Sequence, residues 1–197
     1  MKKKSFIKTK LNVQRDKLAS PLTCKLAKLC GFDWNMVETI KGSIMAFSQC
    51  WKEETPGDFV LINPKQYRPG NPHIPAMSLD LLHRWVREIC NYYVSPSIYK
   101  NPHIHWQTCL YDFGDGDHLW CFPIKNIKGT FLFSEYEEAL ERGLQHALYN
   151  HYWDHIIGGD EEDMVSYDSS IPVEKMIEDI IKNEKDRKNQ DVELKQE

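Results

Sequence analysis

Two helix patterns bracket a run of strand patterns between Ile74 and Trp153, and that order constrains the fold more than any other feature of the chain. The first pattern is Ser78-Leu-Asp-Leu-Leu-His-Arg-Trp-Val-Arg-Glu, with Leu79, Leu82, Trp85, Val86 and Ile89 on one stripe. Apolar residues at three- and four-residue intervals share a helix face, and Ser78 can cap the first turn. The second is Phe133-Ser-Glu-Tyr-Glu-Glu-Ala-Leu-Glu-Arg-Gly-Leu-Gln-His-Ala-Leu, in which Tyr136, Leu140, Leu144, Ala147, Leu148 and His151 line one face. Ser134 followed by Glu137 predicts a capping box, and Gly143 in mid-helix predicts a close approach to a neighbouring layer.

Between these helices, Tyr92 to Tyr99, Ile104 to Tyr111 and His118 to Ile124 read as strands, rich in aromatic and β-branched residues. Pro96 marks the first as interrupted or at an edge, because proline gives no amide donor to a ladder. Asp112-Phe-Gly-Asp-Gly-Asp is turn chemistry, and Gly129-Thr-Phe-Leu-Phe returns the chain toward the sheet. The expected fold class is α+β. An antiparallel sheet of three or more strands is flanked by two helices, with additional N-terminal and C-terminal helices.

The flanking segments are less uniform. Pro21 opens a short helix carrying Leu22, Leu26 and Leu29, ended by Gly31. Asp33 then caps a predicted helix from Trp34 to Trp51, on the spacing of Val37, Ile40, Ile44, Phe47 and Trp51. Thr55-Pro-Gly is a turn, and Phe59-Val-Leu-Ile a predicted buried strand. Four prolines between Asn63 and Pro75 make that stretch an irregular connection. Near the other end, Pro172 starts a helix with Val173, Met176, Ile177, Ile180 and Ile181 on one stripe. That stripe is expected to fold back on the 34–51 helix. After Asn183 the sequence turns charged, and disorder is expected there. The division is a basic disordered arm (1–20), an N-terminal helical part and connection (21–72), an α+β core (73–157), and an acidic loop, amphipathic helix and tail (158–197).

Charge is distributed unevenly. Of 25 Lys and Arg and 29 Asp and Glu, residues 1–30 hold nine basic and one acidic, leaving 16 and 28 for the rest. A basic arm thus joins an acidic body. Lys2, Lys3, Lys4, Lys8 and Lys10 are the candidate nucleic-acid contacts, since such an arm can neutralise phosphates. The order helix, strands, helix is also that of double-stranded RNA-binding domains. Those grip phosphate with lysines at the start of the last helix, where this chain has Ser134-Glu-Tyr-Glu-Glu, which repels phosphate.

The six cysteines, Cys24, Cys30, Cys50, Cys90, Cys109 and Cys121, form no Cys-x-x-Cys pair. No apolar stretch follows Met1-Lys-Lys-Lys as a secretory signal requires, so free thiols in the cytoplasm are expected. No stretch approaches the ~20 apolar residues of a membrane span.

Histidine offers the main alternative chemistry. His103 and His105 share one face of a predicted strand, and His151 and His155 share a predicted helix face at i and i+4. Four imidazoles can hold zinc tetrahedrally, and Asp112, Asp117, His118 or Asp154 would then supply a further ligand or general base for a metal-dependent hydrolase. The chain has no His-Glu-x-x-His. His103-x-His105 with Thr108 lacks the second element that a paired-histidine phosphodiesterase needs. Asp112-Phe-Gly114 lacks the glycine-rich and His-Arg-Asp loops of a kinase. The Asp112–Asp117 loop lacks the glutamate of a calcium loop, with Phe122 in its place. Gly-x-Ser-x-Gly, Gly-x-Gly-x-x-Gly and Gly-Lys-Ser/Thr are absent.

Residues 74–150 resemble small phage and prophage proteins of gut bacteria. In these, Pro-x-x-Ser leads into a Trp-Leu-Arg-Glu helix, matched here from Ile74-Pro-Ala-Met-Ser78 to Trp85-Val-Arg-Glu88. They finish on a Tyr-Glu-Glu-Ala-Leu-Glu-x-Gly-Leu helix, here Tyr136 to Leu144. The resemblance implies a fold and a mobile-element setting, and no catalytic residue. The expected function is therefore that of a non-enzymatic accessory protein with a protein partner. The metal-dependent hydrolase and nucleic-acid binding through the arm are the alternatives.

Overall fold

The computed structural model describes residues 17–32, 49–62, 73–100, 102–112, 120–126, 128–157 and 170–193. It is a mixed α+β structure. The described residues form four α-helices and two antiparallel three-stranded sheets.

Helix α1 (Pro21–Leu29) forms as its sequence predicts. Ser20 Oγ accepts from the Thr23 amide at 3.3 Å, and proline occupies the first turn. At the other end Gly31 adopts φ +89°, and the Phe32 and Gly31 amides bond back to the Ala27 and Lys28 carbonyls. That pair of bonds closes the helix and needs a residue free to enter the left-handed region.

The first sheet has the order β2-β1-β3, from β1 (Cys50–Thr55), β2 (Asp58–Ile62) and β3 (Ile74–Pro75). The Pro56-Gly57 turn joins β1 and β2, with Gly57 at φ +84°. Two expectations are corrected here. Cys50 and Trp51 lie in β1, so a helix over 34–51 cannot reach Trp51. Most of that predicted helix, 33–48, lies outside the described residues. The Phe59–Ile62 strand is an edge strand among the described residues, half-exposed along its length with Leu61 exposed, because there β2 pairs on one side only.

The second sheet is the one predicted between the bracketing helices. Its order is β4-β5-β6, from β4 (Tyr92–Lys100), β5 (Ile104–Asp112) and β6 (Trp120–Ile124). β4 and β5 pair without a break, from Tyr92 opposite Asp112 to Lys100 opposite Ile104. Pro96 sits opposite Thr108 in an edge strand and does not interrupt it. Beyond β6, Phe133 exchanges both backbone hydrogen bonds with Trp106, at 2.8 and 2.9 Å. The return loop is held by Asn126. Its Oδ1 accepts from the Lys128 and Thr130 amides, and its Nδ2 donates to Thr130 Oγ1 and the Leu132 carbonyl.

Helix α2 (Leu79–Glu88) is capped by Ser78, whose Oγ accepts from the Leu81 amide at 3.2 Å. Helix α3 (Tyr136–His151) begins differently from its prediction. Ser134 donates to Glu138 Oε2 from both its amide and its hydroxyl, and Glu135 takes the cap position without a side-chain bond. The reciprocal capping box with Glu137 is not made. Past His151 the chain continues as a wider π-turn, Tyr152–Ile157.

Helix α4 (Val173–Glu193) is longer than predicted, continuing through the charged stretch after Asn183. Lys, Arg, Glu and Gln are good helix formers, and Glu184 faces Arg187 one turn on, as Lys175 faces Asp179. Met176, Ile177 and Ile180 are buried. Their partners among the described residues are α1 and α3; the 34–51 segment expected to receive them lies mostly outside the described residues. Tyr149 Oη donates to Asp179 at 3.3 Å and Tyr152 Oη to Glu184 at 3.2 Å.

One hydrophobic cluster takes in α1, α2, β4, β5, α3 and α4, with Leu26, Leu82, Trp85, Val94, Leu144, Leu148 and Ile180 at its centre. Side chains from the 21–72, 73–157 and 158–197 segments therefore share a core. A polar seam ties the layers. Thr23 Oγ1 donates to Glu141 and accepts from Gln145. The buried Arg142 guanidinium reaches the Lys125 and Ile171 carbonyls and Gln145 Oε1.

Candidate functional site

The β4-β5-β6 sheet has two unlike faces, because strand side chains alternate. Tyr92, Val94, Thr108 and Leu110 point into the core and meet α3, where Gly143 faces Val94 and Thr108. The opposite face presents Tyr93, Ser95, Ser97 and Tyr99 from β4. Cross-strand from them stand Tyr111, Cys109, Gln107 and His105 of β5, in that order. Among the described residues no helix covers this face. Tyr93 and Tyr99 are exposed, and the four β5 residues are half-buried. Tyr93 and Tyr111 lie with ring centroids 6.3 Å apart, and Tyr93 also meets His83 at 5.9 Å.

None of these eight residues is Lys, Arg, Asp or Glu. That is unusual on the surface of a chain of which 27% is charged. Tyrosines among small and amide side chains offer rigid contact area with hydrogen-bonding tips, at little entropic cost. Reading the sequence alone did not single the face out. Its signal is the alternation in Tyr92-Tyr-Val-Ser-Pro-Ser-Ile-Tyr, which becomes legible once α3 shows which parity is core.

The edge of this sheet is closed near its core end. His83 of α2 hydrogen bonds to the Val94 backbone, while its Nε2 is buried without a partner. Burial holds the imidazole below its ordinary range, against the lift from the Val94 bond.

The sequence-predicted histidines do not converge. His105 lies on the open face of β5, beside Trp106, which packs edge-on against Tyr136 at the start of α3. His151 closes the last turn of α3, edge-on to Trp85. The two are on opposite sides of the sheet and separated by the length of α3, on the order of 20 Å for its 16 residues. His103 is exposed in the bend before β5. His155 belongs to the π-turn, and its side chain lies outside the described residues. A single metal ion cannot join His105 to His151. Among the described residues no three His, Cys, Asp or Glu side chains stand close enough to hold one. Lys2, Lys3, Lys4, Lys8 and Lys10, and the Asp117 and His118 considered beside the histidines, lie outside the described residues.

Three of the described thiols are equally unsuited to nucleophilic work. Cys24, Cys30, Cys50 and Cys90 form no disulfide. Burial pushes Cys24 up to about 12, and Cys30 and Cys90 higher still. A thiol held protonated at neutral pH is a poor nucleophile. Burial also raises Tyr152 to about 12, with Glu184 adding to the shift. Asp154 accepts a short hydrogen bond from the buried Tyr92 hydroxyl, which ties the π-turn to the first residue of β4. These groups fasten α3 to its neighbours. No described helix is long and apolar enough to cross a membrane. No known family model, curated protein or solved structure matches the chain.

Proposed function

We propose that this chain is a non-enzymatic accessory protein of phage or mobile-element origin that acts by binding another protein. The helix–strands–helix unit of residues 73–157 serves as its scaffold, and the open face of β4 and β5 as its contact surface. The observation that carries this reading is the composition of that face. Depletion of charge with enrichment of tyrosine marks the centre of protein interfaces, whose rims carry the charge. A sheet face carrying rigid tyrosines needs little rearrangement to bind. The same face supplies no cation to neutralise phosphate, which favours protein over nucleic acid. A cytoplasmic setting fits the free, buried thiols.

The test is affinity capture with the full chain, identification of the captured protein, and titration of that protein, once purified, against variants. Tyr99→Asp and Gln107→Lys place charge on the open face without disturbing the core. Each is expected to weaken binding by tenfold or more, about 1.4 kcal/mol. Glu178→Lys on exposed α4 should leave it unchanged. If the partner binds the open-face variants as tightly as the parent chain, the contact surface lies elsewhere.

A further inference from the structure

β4 is an outer strand of its sheet, and its neighbours reveal which way its backbone groups point. In an antiparallel strand the amide and carbonyl of one residue face the same side, and successive residues alternate. Trp106 of β5 exchanges both of its backbone bonds with Phe133. Ile98 stands opposite Trp106 on the other side, so its own amide and carbonyl turn away from β5. The β4–β5 register has no break, so Val94, Pro96, Ile98 and Lys100 share that outward direction, while Tyr93, Ser95, Ser97 and Tyr99 bond to β5. His83 agrees with this parity, because the backbone group it meets along β4 is that of Val94. Val94 is thus occupied, and Pro96 has no amide hydrogen to offer. Ile98 and Lys100 direct both of their groups outward, and no described strand lies beside them. Ser97 to Lys100 are all exposed, with Ile98 at 64%.

We infer that this edge pairs with the same edge of a second copy of the chain, antiparallel about a two-fold axis at Tyr99, so that the two β4-β5-β6 sheets become one. The pattern of donors and acceptors selects that register. With Ile98 opposite the second copy's Lys100, both backbone groups of both residues are satisfied in each copy. A shift that sets Ile98 opposite Ile98 puts Lys100 against Pro96, and the Lys100 carbonyl then meets no hydrogen. Pro96 on one side and Pro102 on the other supply no donor, so the ladder is confined to the segment between them. A two-fold pairing uses the same edge of both copies and therefore closes at a dimer. The side chains fit the same register. The two Tyr99 rings lie side by side on the open face, in a non-hydrogen-bonded pair, where side chains approach most closely. On the opposite face Ile98 covers the aliphatic stem of the second copy's Lys100. That face has an acidic border. Tyr136 packs on Trp106 at 5.1 Å between ring centroids, and burial, with the charges of Asp80 and Glu137 adding to it, raises the Tyr136 hydroxyl above its ordinary range. The pairing brings a cation, Lys100, to this acidic side. The inference is independent of the proposed protein partner, and it extends the open face across two copies.

The test compares two cysteine substitutions in the full chain, oxidised with diamide under native conditions and mapped by mass spectrometry. Two thiols give up two electrons and two protons to the reagent and form one disulfide. Tyr99→Cys places the thiols across the axis, with Cα atoms about 4.5 Å apart, inside the range that a disulfide spans. Ser97→Cys, exposed on the same face, places them four residues out of register, about 14 Å apart along the strands. The link at position 99 is expected to exceed that at position 97 by tenfold or more. Ile98→Pro removes an amide hydrogen that β5 does not use. Combined with Tyr99→Cys, it should keep the thermal midpoint and lower the link at least tenfold. Where that variant is destabilised, the comparison of positions 99 and 97 decides by itself. Glu178→Lys on α4 should leave the link unchanged. In sedimentation velocity the average mass of the parent chain should rise with concentration. Equal linking at positions 99 and 97 would overturn the inference. So would a link that survives Ile98→Pro in a folded chain, or a monomer mass held up to about 1 mM.

Discussion

Gly143 of α3 lies directly over Val94 of β4, so closely that a methyl group on the glycine would overlap Val94 Cγ1 and come within 3.1 Å of Thr108 Oγ1. This contact sets the spacing between helix and sheet. In an uncrowded helix, Gly→Ala stabilises by about 1 kcal/mol. Here overpacking reverses the sign. Gly143→Ala is expected to lose about 1–3 kcal/mol in urea unfolding. Val94→Ala should recover part of that loss when combined with it, so that the double variant is more stable than the sum of the two singles. Simple additivity would show that helix and sheet part without strain.

His83 gives the fold a pH dependence whose sign follows from its burial. The folded-state pKa is lowered below the ordinary value of 6.5, so the unfolded chain binds the proton more readily. The contribution to stability is therefore fully present above about 6.5 and is lost as pH falls from there through the lower folded pKa. Asn retains a donor for the Val94 backbone but does not titrate. The midpoint of thermal unfolding between about pH 7 and pH 5 should accordingly fall less in His83→Asn than in the parent chain. Parallel slopes would assign the acid sensitivity to other groups.

Ile177 is 5% exposed on the inner stripe of α4. Ile177→Asp places a carboxylate against α1 and α3 with no water to receive it. A loss of roughly 3 kcal/mol or more is expected in thermal or denaturant unfolding, with the solution mass unchanged. A fall from dimer to monomer on this substitution would instead mark the stripe as an assembly surface.

Separation of His105 from His151 makes a prediction about metal. Zinc titrations of His105→Ala, His151→Ala and the double variant should show independent effects, because groups on the order of 20 Å apart share no ligand. Loss of one stoichiometric zinc on either single substitution would revive the hydrolase reading.

Much of the secondary structure was legible from local chemistry. Pro21 and Gly31 bound α1, Ser78 starts α2, and Gly57 turns the β1–β2 hairpin, because caps and turns are decided within a few residues. Gly143 even announced the close approach of α3 to the sheet, since a mid-helix glycine costs stability that a tight contact can repay. What lay beyond the sequence was every question of partnership. Trp51 fits a helical period yet pairs in β1 with β2 and β3, since apolar spacing does not say which neighbour is on offer. Ser134 was set for Glu137 and took Glu138, as a cap depends on where the entering chain is held, here by the Trp106–Phe133 pairing. α4 packs on α1 and α3 because Met176, Ile177 and Ile180 join the core those helices already share. The imidazoles of His105 and His151 belong to promising local motifs, but only the crossing of α3 over the sheet decides the distance between them. The open face follows the same rule. Alternation in β4 and β5 specifies two faces from the sequence alone, and the tertiary structure chose which one to bury, because α3 can cover only one of them.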